Sequence, residues 1–173
     1  MVLNWLTVEN ALQAWLKGAV GGEIIWSNQD GCQPSMPYGT LKISGPRQSS
    51  PTPEILNTTN LSNPAGQEIE QTVVLHGQIT VSCQVYARPT TGAGTARELL
   101  EQARKALFLP TQRERLRAAG LALVEAGDTQ DLTALLETTW QSRAVMDVRF
   151  NVVDTASEKT GYIATVNVTG RTT

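Results

Sequence analysis

The chain is short of most of the residues that do chemistry. It has one histidine, His76, and two cysteines, Cys32 and Cys83, far apart in sequence. So sparse a pair makes no disulfide framework and no zinc-ligand spacing, and a reducing compartment fits it. Cys83 falls inside an apolar strand pattern and reads as a small buried hydrophobe. No run of about 18 apolar residues occurs, which excludes a helical membrane span. The start, MVLNWLTVENALQAWLKG, has no basic leader, and Asn4, Glu9, Asn10 and Gln13 break its apolar character, so a signal peptide is not expected. Charge of one sign is also missing. A formal net of −2 lacks the basic excess of a dedicated nucleic-acid binder. Without secretion, the sequons at Asn57, Asn60 and Asn167 carry no meaning.

At 173 residues, the chain can bury one continuous core, and a single domain over 1–173 is expected. Its best-organised stretch is Asp131–Val153. From residue 144 it alternates with period two. Ala144, Met146, Val148, Phe150 and Val152 make an apolar face for a helix-covered core. Val145, Asp147, Arg149 and Asn151 make a face suited to water or a protein neighbour.

Helical spacing covers Val8–Lys17, with Thr7 as the expected cap and Gly18 or Gly21-Gly22 as the stop. Short strands follow at Ile24–Trp26 and Tyr38–Ser44, separated by a loop through Asp30-Gly31 and two prolines. Gly45–Gly66 reads as one long loop. Its prolines at 46, 51, 53 and 64 break regular structure, while Ile55, Leu56 and Leu61 can dock on a surface. Glu68–Tyr86 is strand-rich, with a turn or bulge expected at His76-Gly77. Thr95-Ala96-Arg97-Glu98 is a capping box opening a helix whose stripe is Ala96, Leu99, Leu100, Ala103 and Leu107. A second box, Thr111 to Glu114, is expected to open a shorter helix ending near Gly120. Leu121–Ala126 reads as a strand. Ala144–Asp154 and Tyr162–Thr169 read as a hairpin joined by a polar connection at 155–161. The order implies an α+β fold, a mostly antiparallel sheet with its helices packed on one face.

No constellation completes an active site. Gly92-Ala93-Gly94-Thr95 lacks a P-loop lysine and reads as a loop. His76 has no nucleophile or orienting acid in any motif, and Asp128, Asp131 and Glu137 lack metal-ligand spacing. Asp131 is expected to cap a turn. Arg104, Lys105, Arg113, Arg115 and Arg117 form a basic patch diluted by Glu101 and Glu114, a solvated helix face by default. Trp5, Trp15 and Trp26 suit core or edge sites. Trp140, beside Arg143, suits an interface anchor or the core. No catalytic residue, cofactor or metal is expected.

The order of the pieces resembles the tail-terminator (neck terminator) proteins of long-tailed bacteriophages. The N-terminal amphipathic helix is followed by Ile24–Trp26, Pro34 and Pro37-Tyr38-Gly39-Thr40-Leu41. Then come the Thr80–Tyr86 strand and the Ala96–Leu107 helix. Leu116-Arg117-Ala118-Ala119-Gly120-Leu121 leads to Asp131–Leu136, Trp140, Arg143-Ala144 and the Met146–Phe150 strand. The resemblance implies a structural virion protein. It would form a ring, usually of six subunits, that caps the tail tube, stops its polymerisation and joins it to the head-side connector. Implied partners are other copies of itself, the tail tube protein, the connector or stopper and, in a contractile tail, the sheath protein. DNA would pass through the lumen unbound, and assembly would occur in the host cytoplasm.

The residues themselves place the subunit and partner contacts at Pro51, Ile55, Leu56, Leu61, Trp140, Arg143, Asp147, Arg149, Glu158 and Lys159. The 45–66 loop and the 155–161 connection are the expected assembly loops, and Arg143 and Arg149 are expected to meet acids on a neighbour. The alternatives are another connector, stopper or tail-completion protein, and a monomeric protein-binding module. An enzyme built on Asp128, Asp131 and His76 lacks the parts to work.

Overall fold

The first helix begins where the chain offers a cap. In the computed structural model, whose described residues are 3–29, 32–50, 52–59, 69–88, 95–136 and 139–160, α1 spans Trp5–Val20. Asn4, not Thr7, is its cap, because the Asn4 side chain accepts from the Thr7 amide at 3.2 Å. The helix runs through Gly18 and stops at Gly21, whose φ of 70° is the left-handed turn a glycine allows. Strand β1 (Glu23–Trp26) then pairs in parallel with β2 (Tyr38–Gln48).

Two expectations about the next segment fail. Residues Gly45–Gln48 belong to β2, and Glu54–Thr59 forms β3, paired antiparallel with the start of β4 (Ile69–Ala87). The 45–66 loop is therefore largely sheet, as far as it is described. Pro53 precedes β3 and leaves its ladder intact. The turn expected at His76-Gly77 is absent too. β4 passes straight through, with His76 opposite Val153 and Gly77 opposite Val152. Gly77 serves close packing, since a Cβ there would lie 3.1 Å from Pro46 Cβ.

Helix α2 (Ala96–Ala106) opens with both halves of its capping box, Thr95 and Glu98, in place. The second box does not form. α3 (Pro110–Ala118) starts two residues earlier, with Leu109 in place of Thr111 as the N-cap residue, Pro110 in its first turn and no side-chain cap on Leu109. A proline in the first turn forgoes no helical hydrogen bond, so it sets the start without help. Gly120, at φ 83°, follows the end of that helix. β5 (Ala122–Ala126), β6 (Gln130–Asp131) and β7 (Ala134–Leu136) lead into β8 (Thr139–Thr160).

β8 is the long axis of the molecule. Its 22 residues extend roughly 70 Å at about 3.3 Å each. The path through the sheet is β1-β2-β4-β8-β5, with β3 on β4, and β6 and β7 on β8. Residues 155–160, expected as a connection, are strand. Thr155 to Thr160 pair with Val74 to Ile69. Thr, Ser and Glu there mimic loop composition, but a paired ladder satisfies their backbone all the same. The expected second strand of that hairpin, Tyr162–Thr169, lies outside the described residues, as do Asp30-Gly31 and Gly92–Gly94.

The core lies between the helices and one face of this sheet, an α+β arrangement. Ile79, Val81, Cys83 and Val85 of β4 sit beside Phe150, Val148, Met146 and Ala144 of β8, all buried. Val8, Leu12, Trp15 and Leu16 of α1 and Leu100, Ala103 and Leu107 close over them. Trp15 Nε1 donates to the Ala103 carbonyl at 3.0 Å, tying α1 to the last turn of α2. Ser142 Oγ accepts from the Ala96 amide at 3.1 Å and fixes the start of α2 on β8.

Candidate assembly surfaces

Among the described residues, the sheet is covered on one side only. On the other side, β8 presents Arg143, Val145, Asp147, Arg149 and Asn151, none of them fully buried. Gln78 Nε2 donates to Asn151 Oδ1 at 3.3 Å across the strands. Arg149 pairs with Glu125 of its own chain. Arg143 lies 5.3 Å over the Tyr86 ring and donates to Gln84 Oε1 at 2.7 Å. Tyr86 stacks in turn on Tyr38, with ring centres 4.7 Å apart. Register explains the row, because Tyr38, Tyr86 and Arg143 face one another across three strands. Burial raises the Tyr38 hydroxyl above its ordinary pKa, so it stays neutral. The two arginines expected to meet a neighbour's acids thus already hold partners within the chain.

Past Gly77 and Val152 the helices no longer cover the sheet. Glu54–Thr59, Ile69–His76 and Val153–Thr160 continue as a three-stranded arm. Alternation puts Ile55, Val73, Leu75 and Ala156 on its helix-side face and Leu56, Thr72 and Ser157 on the other. Ile55 and Leu56 are 53% and 48% exposed, one on each face. Glu158 and Lys159 are exposed near its end. His76 Nε2 lies 3.4 Å from Glu54 Oε2. At the base of the arm, a cleft of about 300 Å³ is lined mainly by Leu3, Trp5, Pro46, Leu75 and Val152, with Asp154 beside them. The Leu3 amide donates to Asp154 Oδ1 at 3.0 Å, so the start of the chain is fastened to the arm.

The opposite end of β8 forms a tight hairpin with β7. Leu135 pairs with Trp140, and both are exposed, Trp140 by 59%. The question left open for Trp140 is therefore answered: it is not core. Trp15 is core, while Trp5 is an edge residue. Asp131 accepts from the Thr133 hydroxyl at 2.5 Å and its amide at 2.9 Å, making the expected turn. Those bonds hold its carboxyl below the usual range.

The structure thus brings Ile55, Leu56, Glu158 and Lys159 together on the arm, and Arg143, Asp147 and Arg149 on the bare face. Trp140 stands apart from both groups. Pro51 and Leu61 lie outside the described residues. Sequence reading passed over Leu75, Trp5 as a cleft wall, Leu135, and the exposed pair Phe108 and Leu109 between α2 and α3. The signal for that pair was present: two bulky apolar residues directly before Pro110, beyond the last stripe residue, Leu107. No helix among the described residues is long and apolar enough to cross a membrane.

Exposed apolar side chains on both faces of the arm make it a candidate contact surface. No curated protein matches the chain. A family model described as phage neck terminator protein matches residues 6–173, nearly all of it. The chain belongs to the phage neck terminator family, a family of structural virion proteins.

Proposed function

We propose that the protein acts as one domain and closes into a ring, usually of six copies, at the end of the tail tube. The ring caps the tube, stops its growth and offers its far side to the head connector. In a contractile tail it also meets the last sheath ring. It assembles in the host cytoplasm and remains in the neck of the virion. Its binding partners are other copies of itself, the tube protein and the connector, and DNA passes its lumen unbound.

The observation that carries this reading is the arm. A three-stranded sheet extends past its helical cover and leaves Ile55, Leu56 and Leu75 exposed. Covering by another subunit gives those residues a use. A ring needs head-to-tail faces that differ from one another and close by rotation. The arm, at one end of β8, is one such face. Within this reading Ile55, Leu56, Glu158 and Lys159 contact a neighbouring subunit, Trp140 anchors a second contact, and Arg143, Asp147 and Arg149 line a polar contact face. A chain of net charge −2 also suits a lumen that must release DNA.

The test is a capping assay. Purified protein is added to the same phage's tube protein as it polymerises, and tube lengths are read by electron microscopy. Tubes that stop growing and carry a ring at one end are expected. Tubes of unchanged length with bare ends would refute the reading.

A further inference from the structure

The turn between α2 and α3 leaves Phe108 and Leu109 outside the core, 59% and 57% exposed, although Leu107 beside them is fully buried. Their backbone is fixed, since Phe108 N donates to Lys105 O and Leu109 N to Ala106 O, each at 3.1 Å. They form a rigid apolar knob. Its setting is basic. Residues 96–118 carry six basic side chains (97, 104, 105, 113, 115, 117) against three acidic ones (98, 101, 114), a net of +3. Arg104 is held by Glu101 and Asp128. Lys105, Arg113, Arg115 and Arg117 make no ion pair among the described residues.

The arm carries the opposite charge. Its described residues hold Glu54, Glu70, Asp154 and Glu158 against Lys159, a net of −3 with His76 neutral. The cleft at its base, about 300 Å³, is apolar at Trp5, Leu75 and Val152. Neither Phe108 nor Leu109 lines the cleft of its own chain.

We propose that the Phe108–Leu109 knob of one copy seats in the arm-base cleft of the next, with the α2–α3 cations facing that arm's carboxylates. The inference rests on the ring-forming reading and names the contact that builds the ring. Knob and cleft are different patches on one molecule, so pairing them gives the head-to-tail contact a ring requires. Opposite charge steers the two together and disfavours arm-to-arm and corner-to-corner pairing. A further exposed apolar pair, Leu135 and Trp140, lacks this match. Its nearby acid, Asp131, already feels Arg97 of its own chain.

The experiment is the solution mass of the purified full-length chain and four variants. Phe108→Ser/Leu109→Ser removes the knob. Serine at position 109, the α3 N-cap, adds a capping side chain, so this variant should keep the wild-type fold. Glu158→Lys reverses charge on the cleft side of the arm, and Lys105→Glu/Arg113→Glu reverses the corner. Each of these three should fall from the ring to the 18.7 kDa monomer while keeping native far-ultraviolet circular dichroism, the melting midpoint dropping only by what association had added. An equimolar mixture of the two reversed variants should regain the ring mass, because alternating copies restore every opposite-charge contact. Trp140→Ser, the fourth variant, should keep the ring. If the wild type forms rings and the first three variants do too, the contact is wrong and the ring reading stands. Dissociation by Trp140→Ser alone would move the contact to the hairpin. A wild type that never associates, alone or with tube protein present, overturns both.

Discussion

Replacing Trp15 by phenylalanine tests how the helical layer is locked. Trp15 is 2% exposed, and its indole N–H is donated to the Ala103 carbonyl at 3.0 Å. That carbonyl sits in the last turn of α2, where helix carbonyls lack partners further along the helix, and Leu107 N bonds to Arg104 instead. Phenylalanine keeps the ring stacked in the core but donates nothing. The lost bond costs about 1 kcal/mol, and stranding a buried carbonyl adds about 1–3 kcal/mol. The smaller ring also leaves a gap. A loss of about 2–4 kcal/mol is expected, a drop in melting midpoint of roughly 5–15 °C for a chain of this size. Thermal and urea unfolding of Trp15→Phe beside Trp140→Phe read it directly. The exposed Trp140 substitution should stay within about 0.5 kcal/mol of the wild type. A Trp15→Phe midpoint within about 1 °C of the wild type would refute the claim that this bond locks α1 to α2.

Two glycines should respond in opposite directions in urea unfolding. Gly18 lies inside α1 with nothing within 4 Å of an added Cβ, so Gly18→Ala should stabilise by about 0.5–1 kcal/mol. An added Cβ at Gly22 would lie 1.8 Å from the Pro37 carbonyl oxygen, so Gly22→Ala should destabilise by about 1–3 kcal/mol. Thiol labelling of the native protein should modify the exposed Cys32 alone. Cys83 is fully buried, burial pushes its thiol up, and it should react only after unfolding; equal native rates would contradict this. Asp131 should titrate below the ordinary aspartate value of about 3.9 in a carbon-13 NMR titration. Its folded pKa is depressed, so its contribution is present above the unfolded value and is lost as pH falls through the lowered one. Thr133→Ala should bring the titration back up, and an ordinary value in the wild type would refute the turn.

The sheet core was legible because burial on one face writes itself as period two. Ala144 to Val152 and Ile79 to Val85 alternate cleanly, and the Thr95–Glu98 box marks its helix without help from tertiary structure. The arm was not legible. Residues 155–160 and much of 45–66 face no core of their own chain, so they carry no alternation, and their Pro, Ser, Thr and Asn content reads as loop. What makes them strands is long-range pairing with Ile69–Val74, which single-sequence patterns do not encode. The same cause divides the site. Ile55 and Leu56 stood out as apolar residues in polar surroundings. Phe108 and Leu109 adjoin Leu107, the last residue of a buried stripe, and only the turn that follows α2 exposes them. Arg143 and Arg149 were legible as surface residues, but their partners, Gln84 and Glu125, depend on strand order.

The central claim is a ring built from this subunit. Light scattering on the purified protein, with negative-stain imaging of the same fraction, tests it most directly. The account predicts a mass several-fold above the 18.7 kDa monomer and closed rings with a central hole. A monomer at every concentration, alone and with tube protein present, would contradict it.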